Sequence, residues 1–100
     1  MSTRNDHRVP YPLKGGCQTV TVGGTSARTT AGVGSQTRVA IIASTTDAHY
    51  AFGDSAVTAT TSDTFIIAGS EHYVQIQPGQ YVAFIQNSAG GTAAVSEMAQ

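Results

Sequence analysis

The sequence predicts an all-β protein, a single small antiparallel β-sandwich or jelly-roll-like barrel with an extended N-terminal arm. Apolar and polar residues alternate with the two-residue period of half-buried strands, and turn residues separate these stretches at roughly eight- to twelve-residue intervals. No stretch holds the period of a helix. A chain of 100 residues has room for one modest core. We therefore predict an arm over residues 1–18 and one β-domain over residues 19–100.

The predicted arm differs from the rest of the chain in charge and in backbone constraints. Three basic residues are set against the single acidic Asp6, and Pro10 and Pro12 disfavour regular hydrogen-bonded structure. One interpretation is a frayed terminus, and the other is an arm that lies across a neighbouring subunit. On the second interpretation the candidate partner-binding residues are Arg4, Arg8, Tyr11, Leu13 and Lys14.

Eight segments are predicted as strands from their apolar period and from the turn residues between them. In chain order they span residues 18–22, 36–44, 48–52, 57–61, 64–68, 73–77, 81–85 and 92–97. The second segment contains an uninterrupted apolar run, which favours a central position in its sheet. The fourth is β-branched but small and predicts a weak strand. Residues 25–35 are rich in Ser, Thr, Ala and Gly without an apolar period, so a flexible loop is predicted there.

Residues 73–85 predict a β-hairpin. Val74 and Ile76 alternate with glutamines, as in a strand with one buried face. Pro78-Gly79 then predicts a type II turn, because proline presets φ at the first central position and glycine accepts a positive φ at the second. Residues 81–85 are apolar in both registers, which favours a return strand that is central or covered on both sides.

The composition excludes several classes of partner. Net charge is −1 and there is no basic reserve, so we expect no nucleic-acid partner. No apolar run approaches the roughly 20 residues of a membrane span, and the N-terminus lacks the apolar region of a secretory signal. We therefore expect synthesis in the cytoplasm and no membrane partner. A surface so poor in charge has two explanations, stable attachment to a larger assembly or extracellular exposure in a tough β-scaffold, and attachment is favoured.

No catalytic, metal or cofactor site is predicted. The three histidines, at positions 7, 49 and 72, are far apart in sequence, and strand-end residues facing solvent or a partner are the favoured interpretation. Cys17 is predicted to be a small buried or semi-buried residue without a base beside it. The carboxylates that occur in or beside turns have the usual turn role of this residue class; they are Asp47, Asp54, Asp63 and Glu71. Residues 32–35 are glycine-rich but lack the lysine of a phosphate-binding loop.

From Arg38 to Glu97 the chain resembles small structural proteins of tailed bacteriophages that are encoded among the head genes. The resemblance lies in turn and core motifs at matching intervals. These are Thr45-Thr46-Asp47, Ala51-Phe52-Gly53, Phe65 with Ala68-Gly69, Tyr73, Ile76, Pro78-Gly79, Val82-Ala83, Ile85-Gln86, and Ser88 with Gly91. The predicted arm and the loop that follows the first strand lie outside the matched part.

The resemblance implies a virion protein without catalytic residues. Its simplest form is a capsid cement or decoration protein, a dimer or trimer on the outer surface of the major capsid protein shell, located in the virion after synthesis in the host cytoplasm. A head–tail connector, collar or tail protein is the alternative within the virion. From another class, a carbohydrate- or host-surface-binding module would use the loops at residues 23–35 and 87–91.

Overall fold

The computed structural model describes residues 9–99, and all of their regular structure is β. The strands are β1 (Tyr11–Val22), β2 (Ala27–Arg28), β3 (Val39–Ser44), β4 (Ala48–Gly53), β5 (Thr64–Ile66), β6 (Glu71–Gln75), β7 (Tyr81–Gln86) and β8 (Gly91–Ala99). They form two four-stranded antiparallel sheets. Sheet 1 has the order β1-β8-β3-β6 and sheet 2 the order β2-β7-β4-β5. The predicted all-β sandwich is confirmed.

This strand order is that of a jelly roll. The chain passes from one sheet to the other at every connection except β4–β5, the one pair of consecutive strands that are neighbours in a sheet. Strands that are far apart in the chain therefore lie side by side, as β1 does with β8 and β2 with β7. Two interleaved Greek keys produce this pattern.

The core lies between the sheets and is built from the inward-facing residue of each alternating pair. From sheet 1 it takes Val20, Val22, Ala40, Ile42, Ala93 and Val95, and from sheet 2 Ala48, Tyr50, Ile66, Val82 and Phe84. Phe84 and Ile42 are the largest side chains that are fully buried. Because alanine fills several inward positions, this core buries little area per strand, as expected for a domain of this size.

The predicted hairpin over residues 73–85 is wrong in its pairing, although both of its strands exist. β6 pairs with β3 in sheet 1, whereas β7 pairs with β2 and β4 in sheet 2. The Pro78-Gly79 segment thus carries the chain across the sandwich. Each strand has an apolar face that must be buried, and facing sheets satisfy this as well as a hairpin does. The predicted central position of the return strand is confirmed, because β7 has a neighbour on both sides.

The turn between β6 and β7 has the predicted type II geometry. Gly79 has a φ of +85°, and the Gln80 amide donates to the Gln77 carbonyl over 3.2 Å. The Gly79 amide also donates to the Val33 carbonyl over 2.8 Å, which ties the turn to the segment after β2.

β1 begins at Tyr11, so the prediction that the first strand starts at Gln18 is wrong. The predicted boundary between arm and domain consequently falls inside this strand. Pro12 is accommodated because β1 is an edge strand, where one side needs no amide donors. The register with β8 shifts between Pro12 and Cys17, and Gly15 with its φ of +69° lies in this bulge.

The segment predicted as a flexible loop over residues 25–35 is held against β7. It contains β2, and beyond that strand Thr29 donates to the Val82 carbonyl and Val33 to the Gln80 carbonyl, each over 2.9 Å. Val33 is buried in the core. A side chain at Gly32 would collide with the Gly79 backbone, so glycine serves close packing here rather than flexibility.

The predicted weak strand at residues 57–61 is wrong, because these residues form no ladder. The Ala59 amide donates to Ser26 Oγ over 2.8 Å, and the Thr60 amide donates to the Asp63 carboxylate over 2.7 Å. Two side-chain acceptors, the nearby Asp63 and the distant Ser26, therefore take up amides that a strand would have paired.

We expect Gly79→Ala to lower the free energy of unfolding by about 1–2 kcal/mol, because a Cβ is disfavoured at positive φ. An added methyl would meet nothing within 4 Å, so the cost lies in the backbone alone. Gly23→Ala is the matched control, because a methyl group added at Gly23 also meets nothing within 4 Å but the residue has no positive φ. Urea denaturation of both variants measures the difference, and equal losses would contradict this account of the turn.

Candidate binding surface

The outer face of sheet 2 is covered by the protein itself. Residues 54–63 connect β4 to β5 and cross this face, and a Cβ at Gly53 would lie 2.9 Å from the Val57 side chain. Ala59 in this connection is only 3% exposed. Ala83 is fully buried although it faces away from the main core cluster, as expected for a residue beneath this cover. The central part of this face, around Gly53 and Ala83, is therefore covered, whereas Phe65 at its edge is 41% exposed.

The outer face of sheet 1 has no comparable cover, and we call it the open face. It is formed by the outward-facing side chains of the sheet, which are Cys17, Thr19 and Thr21 of β1, Thr92, Ala94, Ser96 and Met98 of β8, Val39, Ile41 and Ala43 of β3, and Glu71, Tyr73 and Gln75 of β6. All are exposed or half-buried except Val39. Glu71 is the only acidic or basic residue among them. The open face is therefore a broad, nearly uncharged surface of small side chains.

Tyr73 and Ile41 form the apolar centre of the open face. They are cross-strand neighbours, and the same row continues through Ser96 to Cys17. Tyr73 is 64% exposed, an unusual position for a large aromatic ring. Its exposure beside Ile41, on the edge strand of a nearly uncharged face, favours contact with another molecule.

A shallow depression of about 480 Å³ lies at one end of the open face. It is centred on Ala43, with Glu71 and Tyr73 on one side and Thr92 and Ala94 on the other. The depression exists because the alanines of β3 and β8 are short. It supplies one carboxylate, one aromatic ring and several hydroxyl groups, which can make apolar contacts and hydrogen bonds.

The structure separates the two histidines that it describes, and it buries His49, for which a position facing solvent or a partner is predicted. His49 is 7% exposed on the covered side of sheet 2, where Nδ1 lies 3.0 Å from the Asp63 carbonyl and Nε2 lies 3.0 Å from Asn87 Oδ1. Its ring packs against Phe65 at a centroid distance of 5.2 Å. His7 lies outside the described residues. His49 is thus a structural residue that joins three segments.

His72 faces the core and forms a hydrogen bond with Tyr50 that links the two sheets. The Tyr50 hydroxyl lies 2.7 Å from His72 Nδ1, and the two rings meet edge to face at 5.6 Å. Tyr50 is only 5% exposed, and burial raises the pKa of its phenol. This pair satisfies two polar groups that would otherwise be unpaired between the sheets.

The predicted partner-binding residues are placed only in part. Tyr11, Leu13 and Lys14 belong to β1 at the edge of sheet 1, with Tyr11 56% exposed and Leu13 half-buried. Arg4 and Arg8 lie outside the described residues. These strand residues stand beside the open face rather than on a separate arm.

Cys17 is exposed on the open face, so the prediction of a buried or semi-buried thiol is wrong. The predicted first strand begins at residue 18, so the prediction assigns the Cys17 side chain to neither face of the sheet. Extending the two-residue period back through Thr21 and Thr19 to Cys17 is the sequence signal that assigns all three to one side of β1.

The described residues contain neither a metal-binding group of side chains nor a helix that could span a membrane. Between Val9 and Ala99 the chain forms no helix of the length and apolar character that a membrane span requires. Within the same range, no three side chains of His, Cys, Asp or Glu come together as a group that would hold a metal ion.

No protein-family model, curated protein or solved structure matches this chain. A jelly roll by itself hosts many functions, among them capsid and lectin domains. The open face and the edge of sheet 1 are therefore the features that bear on function.

We expect the stability of the wild-type protein to fall above about pH 10 and that of Tyr50→Phe to fall less steeply. The raised pKa means that the folded protein keeps the phenol proton at pH values where the unfolded chain releases it. The resulting stabilisation is complete below the usual phenol pKa of 10.0 and is lost as pH rises through the raised value. Urea denaturation at intervals from about pH 8 to 11 gives the two slopes.

The level of stability at neutral pH does not test this point, because Tyr50→Phe also removes the hydrogen bond to His72 and costs about 1 kcal/mol at every pH. Parallel pH profiles for the two proteins would show that Tyr50 ionises alike in the folded and unfolded chains.

Proposed function

We propose that this protein is a non-enzymatic virion structural protein, a capsid cement or decoration protein that binds the outer surface of the major capsid protein shell and stabilises it. The open face of sheet 1 is the observation that carries this proposal, because a broad and nearly uncharged sheet surface suits contact with another protein. The sequence resemblance between Arg38 and Glu97 supplies the identity of the partner. Together they favour attachment to a shell over activity on a small substrate.

The chemistry of the open face supports attachment at low energetic cost. A charged side chain must lose its water to enter an interface, and only a well-placed partner offsets the free-energy cost of this desolvation. The open face has one such side chain, Glu71, at its edge. The hydroxyl groups of Thr19, Thr21 and Thr92 lose less on burial and find backbone partners readily. Small side chains also allow the backbone of a partner to approach closely.

A shell supplies many copies of the same site, so each single contact can have a modest affinity. A protein that bridges two capsid subunits gains from effective concentration, so modest contacts add up to stable attachment. We propose that the N-terminal segment supplies a second contact through Arg4 and Arg8, next to Tyr11 and Lys14 at the start of β1. Basic groups suit the rim of an interface, where charges remain hydrated.

Purified virions provide the direct test. We expect the protein in particles at hundreds of copies, measured by gel densitometry against the major capsid protein. A copy number near six or twelve would instead indicate the connector, collar or tail alternative. Absence of the protein from purified virions would contradict every virion assignment.

Charge placed on the open face should abolish attachment. We expect Thr19→Glu to weaken binding to capsids that lack this protein by about tenfold or more, because the new carboxylate would be buried without a partner. Thr58→Glu is the matched control, since Thr58 is also exposed but lies in the cover of sheet 2. Co-sedimentation with capsids measures both.

Equal binding by the two glutamate variants would place the contact elsewhere. In the same assay, deletion of residues 1–8 tests the second contact while it leaves β1 whole. Binding that the deletion does not change would remove Arg4 and Arg8 from the proposed interface.

A further inference from the structure

The sandwich has four edge strands among its described residues, and only one of them is longer than three residues and free of proline, lysine and bulges. β2 and β5 are two and three residues long. β1 carries Pro12, Lys14 and a bulge, which are common means of blocking further pairing. β6 (Glu71–Gln75) has neither proline nor lysine, and its register with β3 runs without a shift. Such an edge is a template for one more strand.

The hydrogen-bond pattern shows which backbone groups of β6 are free. The Ile76 amide donates to the Arg38 carbonyl over 3.1 Å, so residue 76 points its backbone groups towards β3. Successive residues of a strand point these groups to opposite sides. His72 and Val74 therefore share the direction of Ile76. The amides and carbonyls of Glu71, Tyr73 and Gln75 point away from β3, to the free edge.

We propose that a second copy of this chain occupies this edge, with β6 pairing to β6 in antiparallel orientation about a two-fold axis at Tyr73. This arrangement places Tyr73 opposite Tyr73, and Glu71 of each copy opposite Gln75 of the other. All three residues with free backbone groups are then paired. A two-fold axis at residue 71 would set the two Glu71 carboxylates against each other, and one at residue 75 would bring Pro78 into the ladder.

The side chains that would meet across this axis are self-complementary. Glu71 accepts hydrogen bonds and Gln75 has an amide that donates them, so both symmetric pairs are satisfied without a like-charge contact. The two Tyr73 rings, each 64% exposed in the single chain, would cover one another. An interface of this kind uses the same patch on both copies, as two-fold dimers require.

Pairing at β6 would join two copies of sheet 1 into one sheet of eight strands. The side chains of Glu71, Tyr73 and Gln75 all lie on the open face, so the two open faces would continue into each other on one side of the dimer. This inference does not depend on the proposed function, because the purified protein alone tests it.

Sedimentation equilibrium of the full chain tests the dimer. We expect a dimer with a mass of twice 10.3 kDa, which dissociates into monomers on dilution. Gln75→Glu should raise the dissociation constant by roughly two- to thirtyfold, because it sets like charges opposite each other in two symmetric pairs, and Gln75→Lys should lower it. Gln36→Glu is the control, since it adds the same charge at another exposed position and should change nothing. A monomer at every concentration up to about 1 mM would overturn the proposal. A dimer whose dissociation constant is unchanged by both substitutions of Gln75 would also overturn it.

Disulfide crosslinking tests the register. In a Cys17→Ser background, Tyr73→Cys should oxidise to a linked dimer, because directly opposite residues of a hydrogen-bonded pair have Cα atoms about 5.5 Å apart, within disulfide range. Gln75→Cys is the control. Its two copies would lie four residues out of register, about 13 Å apart, and should not link. Crosslinking of both variants to the same extent, or of neither, would overturn the two-fold axis at Tyr73.

Discussion

The structure depends on β7, a strand that is apolar on both of its faces. Its inward side chains, Val82 and Phe84, belong to the core that holds the two sheets together, and its outward Ala83 is buried beneath the connection from β4 to β5. Both edges of the strand are paired as well, with β4 on one side and β2 on the other. A strand buried in this way needs cover on every side, and the irregular parts of the chain are arranged to provide it.

This demand explains why the two sheets present such different surfaces. The long connection from β4 to β5 crosses the outer face of sheet 2, where it covers β7 and β4. Sheet 1 receives no such cover, and the outward residues of its central strands β3 and β8 are exposed or half-buried except Val39. The difference leaves a free face and a free edge on the same sheet. The proposed capsid contact uses the face, and the proposed dimer uses the edge.

Part of the fold could be predicted because it rests on local chemistry. The apolar runs of β3 and β7 indicated central strands, and Pro78-Gly79 indicated its turn from backbone preferences alone. Errors arose where a distant partner decided the outcome. Pro12 predicts a break in regular structure, but it lies on an edge strand that tolerates it. Residues 57–61 predict a strand, but Ser26 and Asp63 accept hydrogen bonds from their amides. The hairpin prediction failed because a tight turn fixes the path of the chain without fixing which sheet each strand joins.

The candidate surface was harder to predict than the fold. Residues 39–43 are apolar in both registers, and nothing in the sequence tells which register meets the core and which meets a partner. The sequence by itself determined the β-class, the period of each strand and the turn at Gly79, because these follow from side-chain polarity and backbone sterics within a few residues. Only the tertiary structure decided that sheet 2 is covered, that sheet 1 is open and that β6 has free backbone hydrogen-bonding groups along its outer edge. Each of these depends on contacts between segments far apart in the chain, and local sequence does not encode their pairing.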